Sequence, residues 1–210
     1  RDRSVSRGLG DVYKRQHQCS FCNQKTISGS IKPLTPEDVT AACDIAKNSG
    51  VTRETSEIAF FGGSFTAVDR DYMVSLLEAA KPYIDGGYFG GIRISTRPDA
   101  IDDERLEILR NYHVTSIELG AQSMDDSVLK INRRGHTAKD VENASHLIKS
   151  YGFSLGLQMM TGLMGDTDEK CIKTAERLIA LSPDTVRIYP TIVLENTPLA
   201  DYLRDGSYKA

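Results

Sequence analysis

Four cysteines among 210 residues are too few for a disulfide scaffold and point to a reducing compartment. No hydrophobic run approaches a membrane span, and no apolar stretch near the N-terminus resembles a secretory leader. Neither insertion nor secretion is indicated, and a cytoplasmic location is expected. Basic charge is not in excess either. The formal net charge is −3, so no global field attracts nucleic acid, although a local patch could still contact RNA. What is present, 40% hydrophobic and 26% charged residues, describes an ordinary globular chain. The length suits one domain with a sizeable core, or most of a larger one.

The charge is unevenly spread. Residues 1–16 carry Arg1, Arg3, Arg7, Lys14 and Arg15 against Asp2 and Asp11, a net +3 that leaves −6 for the rest. Val5, Leu9, Val12 and Tyr13 fit neither a strand nor a helix face. The segment reads as a disordered basic arm or as foreign sequence joined at about Gln16.

Next comes His17-Gln18-Cys19-Ser20-Phe21-Cys22-Asn23. A C-x-x-C pair can turn two thiolates toward one metal or cluster, so the spacing recurs in zinc, iron–sulfur and redox sites. Alone, it does not choose among them. Cys43 recurs with Val39, Ala42 and Ala46 at helical spacing, and Cys171 with Ala175 and Leu178, so both are expected in the core.

The remainder alternates. Thr35-Pro36-Glu37-Asp38 starts a helix that runs to about Ser49. Strands are expected at 56–61, 91–95, 116–119, 154–160 and 185–189, and helices at 71–84, 102–112, 125–131, 137–151 and 167–181, with another opening at 199–203. This βα spacing implies parallel strands with right-handed crossovers, in either a doubly wound sheet or a barrel. Glycines and polar residues collect after the strands: Gly62-Gly63, Ser95-Thr96-Arg97, Gln122, Gln158 and Arg187. In parallel α/β folds that is the ligand-binding edge.

These stretches resemble one family. Cys19-Ser20-Phe21-Cys22-Asn23-Gln24 is similar to the last two cysteines of the C-x-x-x-C-x-x-C loop of radical S-adenosylmethionine (SAM) enzymes. Phe-Phe-Gly-Gly-Ser-Phe at 60–65, Ile-Ser-Thr-Arg-Pro-Asp at 94–99 and Glu-Leu-Gly-Ala-Gln-Ser-Met-Asp-Asp at 118–126 resemble the motifs after successive strands. Asn-Arg-Arg-Gly-His-Thr at 132–137 and Gly-Leu-Gln-Met-Met-Thr-Gly-Leu at 156–163 complete the series. The combination most resembles the radical SAM domain of the Elongator catalytic subunit and its short bacterial relatives, over about residues 17–200.

The resemblance implies an α/β fold, a partial (β/α)6 TIM-like barrel with its first strand missing. It implies a radical SAM domain over 17–210, cut at both ends, preceded by the alien segment 1–16. Its cofactors would be a [4Fe–4S] cluster on three thiolates and SAM, cleaved reductively to a 5′-deoxyadenosyl radical. Cys19 and Cys22 match cluster ligands, Phe21 an aromatic near the adenine, and Gly62 and Gly63 the backbone along the methionine moiety. Ser95, Gln122 and Gln158 match groups near the ribose and methionine, and Arg133 a cation for the SAM carboxylate. tRNA wobble uridine is the implied substrate, and a flavodoxin- or ferredoxin-type protein the implied electron donor. Ser64 stands where many members have an acid, and Met164 where they have proline.

One departure matters most. The first cluster cysteine belongs at position 15, where this chain has Arg15, a fixed cation that ligates no iron. The chain as written is therefore expected to be inactive. Two other readings stay open. One is a non-catalytic zinc module on His17, Cys19 and Cys22 with His113 or His136 as fourth ligand. The other is a C-x-x-C thiol oxidoreductase, which lacks the expected helix start at the pair.

Overall fold

The computed structural model describes residues 19–22 and 33–209, together with the backbone of residues 5–8. Six strands form one sheet: β1 (Val5–Gly8), β2 (Ile58–Phe61), β3 (Ile92–Thr96), β4 (Val114–Gln122), β5 (Ser154–Thr161) and β6 (Thr185–Pro190). They lie in sequence order and every neighbouring pair is parallel. An order that never doubles back has no switch point, which rules out the doubly wound arrangement. Parallel strands wound in one direction curl into a partial barrel, as expected from the resemblance.

Two boundaries differ from the sequence reading. The edge place expected to be empty is filled by Val5–Gly8, paired from Val5 with Ile58 to Gly8 with Phe61. Such pairing uses backbone groups, so it needs none of the side-chain alternation that segment 1–16 lacks. β4 runs past the expected 116–119 to Gln122, staying paired with β5 across an irregularity between Gly120 and Gln122.

The helices are α1 (Pro36–Asn48), α2 (Arg70–Asp85), α3 (Asp103–Asn111), α4 (Asp126–Ile131), α5 (Ala138–Ser150), α6 (Asp168–Ala180) and α7 (Pro198–Arg204). Their starts follow capping chemistry. Thr35 and Asp38 form a reciprocal capping box with Pro36 in the first turn, and Thr137 and Asp140 repeat the box at α5. Among the described residues no helix is long and apolar enough to cross a membrane.

Strand alternation divides the sheet's side chains between two faces. Outward go Ile58, Phe60, Ile92, Ile94, Ile117, Leu119, Leu155 and Leu157, all buried against helix residues such as Leu76, Leu77, Leu106, Leu109 and Ile148. Each such burial contributes about 1.5–3 kcal/mol. Cys43 belongs to this core, and burial, with a smaller effect of Asp44, pushes its thiol up to about 11. The Cys171 thiol is likewise pushed up to about 11, first by burial and then by its bond to Asp166. Cys43 thus lies in the core as its helical spacing predicts, whereas Cys171 is half-buried at the edge of that core, and neither supplies a ready thiolate. Inward go Arg93, Ser95, Glu118, Gly120, Gln122, Gly156, Gln158 and Arg187, so the concave face is polar.

Candidate active site at the strand ends

Cys19 is buried and Cys22 half-buried, in a turn closed by Cys22 N–H donating to the Cys19 carbonyl at 3.3 Å. Between them Ser20 fastens the turn to the barrel. Its N–H donates to the Asn132 carbonyl at 3.2 Å, its Oγ donates to Asn132 Oδ1 at 2.9 Å, and its carbonyl accepts from Leu199 N–H at 2.9 Å. Asn132 in turn donates its amide to the carbonyls of Val128 and Met164, at 2.8 and 2.9 Å. One buried side chain thus ties the thiol turn to the loops after α4 and β5.

Two residues on, Arg134 donates from Nη1 to Cys19 Sγ at 3.1 Å and from Nη2 to the Gly120 carbonyl at 2.8 Å. Its guanidinium carbon lies 6.0 Å from the Phe21 ring centroid. Arg133, the arginine expected here, is exposed and has φ +54°. That left-handed step turns its side chain outward and brings the next arginine in. The sequence shows two adjacent arginines and nothing that separates them.

The end of β4 is shaped for close approach. Gln122 has φ +65°, an uncommon conformation for a residue with a side chain. A Cβ on Gly120 would sit 2.9 Å from Gln122 Nε2 and 3.4 Å from Arg134 Nη2. The Ala121 carbonyl is bonded to His136 Nε2 at 3.1 Å, which makes Nε2 the protonated nitrogen. Burial, reinforced by the neighbouring Arg134 cation, pushes the His136 pKa down to about 4, so the ring is neutral. Gln122 Oε1, Arg134 Nε and His136 Nδ1 are buried without a hydrogen-bond partner. Orphaned polar atoms gathered at one strand end fit a polar ligand there.

Gly62 has φ +91°, which a Cβ would strain, and with Gly63 it leads off β2. The loop that follows is tied to β3 by a buried Thr66–Thr96 hydroxyl bond of 2.6 Å. Ser95 pairs in register with Glu118 and is half-buried on the same face. Deeper in the lumen, Glu118 is only 1% exposed, yet it gathers Arg93 Nη1 at 3.4 Å, Arg187 Nη2 at 2.8 Å and Gln158 Nε2 at 2.7 Å. Arg93 also pairs with Glu57 at 2.7 Å, and Arg187 lies 5.7 Å from the Phe61 ring centroid. Tyr189, near the end of β6, is exposed.

Cys19 and Phe21 therefore meet at Arg134, and Gln158 meets Glu118, while Arg133 meets neither. Arg15 and His17 lie outside the described residues. No group of three histidine, cysteine, aspartate or glutamate side chains among the described residues could hold a metal. His113 pairs with Asp85 at 3.1 Å and His136 is committed to β4, which removes both offered fourth ligands of a zinc module. The same test applies to a [4Fe–4S] cluster. Two thiols stand together where three thiolates are needed, so the described donor set is one short.

A parallel half-barrel whose thiol turn, glycine turn and strand-end amides share one rim defines a class of α/β enzyme fold that works at its C-terminal edge. The chain belongs to the radical SAM superfamily, whose family model matches residues 16–178. It is 27% identical over 184 residues to a tRNA uridine(34) acetyltransferase of Dehalococcoides mccartyi, covering 78% of this chain and 40% of that protein. It is 30% identical over 184 residues to human Elongator complex protein 3, covering 78% of this chain and 34% of that protein. The chain thus spans well under half the length of these two relatives. Among solved structures, archaeal Methanocaldococcus infernus Elp3 with an N-terminal deletion superposes with a TM-score of 0.71 at 25% identity, over 83% of this chain and 46% of that one. Methylornithine synthase superposes with a TM-score of 0.70 at 22% identity, over 91% and 55%, which shares the fold alone.

Proposed function

We propose that this chain is the radical SAM domain of an Elongator-like enzyme that modifies tRNA, with wobble uridine as target. The observation that carries the reading is the family match over residues 16–178 together with similarity to proteins named for tRNA uridine 34. The cofactors implied by the family are a [4Fe–4S] cluster and SAM; when bound, they supply the electron and the sulfonium whose cleavage releases a 5′-deoxyadenosyl radical.

The chain's own residues position and shield. Cys19 and Cys22 offer two thiolates on a turn fixed by Ser20 and Asn132. Arg134, not Arg133, takes the role of carboxylate clamp, because it is the guanidinium that reaches the thiol turn. Gly62 and Gly63 leave backbone open to the methionine moiety, and Phe21 offers a face to the adenine. Ser95, Gln122 and Gln158 offer polar groups to the ribose and methionine. A flavodoxin- or ferredoxin-type protein is the proposed electron donor.

Arg15 stands where the third thiolate belongs, so this chain should assemble the cluster poorly and cleave no SAM. The test is anaerobic reconstitution of the chain and its Arg15→Cys variant. The variant should gain the broad visible absorption of an iron–sulfur cluster and release 5′-deoxyadenosine on reduction with SAM present. A variant that stays colourless and iron-free sinks the reading, and stoichiometric zinc would favour the structural module instead. Genomic sequence upstream of residue 17 would test whether segment 1–16 belongs to the domain.

A further inference from the structure

We propose that Glu118 is a positioning residue that sets the hydrogen-bonding polarity of the nucleoside site, by turning the Gln158 amide so that it presents an acceptor. The proposal rests on the reading of this rim as a nucleoside site. Glu118 Oε2 receives Gln158 Nε2 at 2.7 Å, and Glu118 itself is only 1% exposed. Its other neighbours, Arg187 and Arg93, are donors as well, at 2.8 and 3.4 Å. A carboxylate surrounded by donors acts as an acceptor, so the reversed amide would set two oxygens against each other. The amide orientation is therefore fixed chemically.

Register decides where the other end of the amide goes. Glu118 lies level with Gly156, whereas Gln158 lies level with Gly120, two residues nearer the strand ends. The amide nitrogen reaches back toward the lumen floor, and Oε1, the other arm of the planar group, is directed away from Glu118. Gly156 makes this possible. A Cβ there would come within 2.9 Å of Glu118 Cγ, so only a bare backbone lets the carboxylate extend across β5 to Arg187 on β6. The group matched at this position is then a hydrogen-bond donor of the ligand, such as a ribose hydroxyl. A phosphate or carboxylate oxygen would be disfavoured.

The test compares binding of 5′-deoxyadenosine and 2′,3′,5′-trideoxyadenosine to the chain by equilibrium dialysis, without the cluster. Side-chain amide NMR of Gln158 is recorded in parallel. The wild type should favour the hydroxyl-bearing nucleoside about 10-fold. Its Gln158 Nε2 proton facing Glu118 should resonate well downfield. In Glu118→Gln, whose amide can either donate or accept, Gln158 is free to invert. Discrimination should fall below about 2-fold, with affinity for the trideoxy analogue retained and the downfield resonance lost. If Glu118→Gln does not fold, Glu118→Asp keeps a charge between the arginines while withdrawing it from Gln158, and the same losses are expected. Wild-type discrimination that persists unchanged in these variants overturns the inference and leaves the site reading standing. A wild type that binds neither nucleoside overturns the site reading. In that event a Gln158 resonance indifferent to Glu118 overturns the positioning role too.

Discussion

Replacing Gly156 with alanine should destabilise this chain, although glycine in a plain strand is ordinarily the worse residue. Elsewhere such a change would gain about 0.4–1 kcal/mol through the unfolded chain. Here the new Cβ would stand 2.9 Å from Glu118 Cγ and 2.9 Å from Thr185 Oγ1. Overpacking of that kind costs about 1–3 kcal/mol. Displacing Glu118 also weakens its contacts with Arg187 and Gln158. Breaking a fully buried pair costs about 3–5 kcal/mol, but Arg187 is 42% exposed and can turn to water, so about 1–2 kcal/mol is the expected share. The net prediction is a loss of about 2–4 kcal/mol. The chain has no tryptophan, so far-UV circular dichroism in urea is the suitable assay. With a slope of about 2 kcal/mol per molar, the midpoint should fall by about 1–2 M. In a Glu118→Ala background the same change should cost about 1–2 kcal/mol less, because the contact with Glu118 Cγ is gone and only Thr185 Oγ1 still crowds the new Cβ. A neutral or stabilising Gly156→Ala, or costs that simply add, would refute the claim that this glycine exists to let Glu118 pass.

Other expectations follow from single contacts. Asn132→Ala removes the bonds to Ser20, Val128 and Met164 and should cost about 2–3 kcal/mol in urea; it should also speed alkylation of buried Cys19, whose turn it anchors. An Asn132→Ala variant with wild-type Cys19 labelling would show that the turn is held by something else. Thr137→Ala breaks the capping box of α5 and should cost about 1 kcal/mol by thermal or urea unfolding. The His136 pKa is pushed from 6.5 to about 4 by burial and then Arg134, partly opposed by the bond to Ala121 and by Asp99 and Asp140. The folded state therefore disfavours its proton: the stability is full above about pH 6.5 and is lost as pH falls toward 4. From about pH 7.5 to pH 5, wild type should lose about 2 kcal/mol more than His136→Gln, and parallel pH profiles would refute it.

Most of the architecture was legible because parallel α/β folds write both periods plainly. The five strands after residue 50 and the helices between them appear near their expected bounds, since β-branched runs alternate with capped amphipathic stretches. β4 extends beyond its expected end because Gly120-Ala121-Gln122 reads as a turn in the sequence, whereas pairing with β5 holds it in the sheet. β1 left no pattern at all. At a sheet edge, hydrogen bonds to Ile58–Phe61 can define a strand that its own side chains do not announce. Winding direction was also invisible locally, because strand order is a property of the whole sheet.

The site was legible where one residue type is enough, and illegible where a direction is needed. Glycines after β2 and a cysteine pair announce themselves by type. Arg133 and Arg134 are the same type, and a φ of +54° at the first decides which one faces the thiols. Glu118 did leave a signal. Ser116, Glu118, Gly120 and Gln122 alternate with Ile117, Leu119 and Ala121, so a charge sits among small and neutral polar residues on the inner face of the strand. A charge so placed needs partners, and the arginines at 93 and 187 stand on inner-facing positions of β3 and β6. Reaching the farther one requires crossing β5 at a residue without a side chain, and that strand carries Gly156 level with Glu118. Strand alternation and register together thus lead from one inward-facing glutamate, the first residue of the motif at 118–126, to the lumen network.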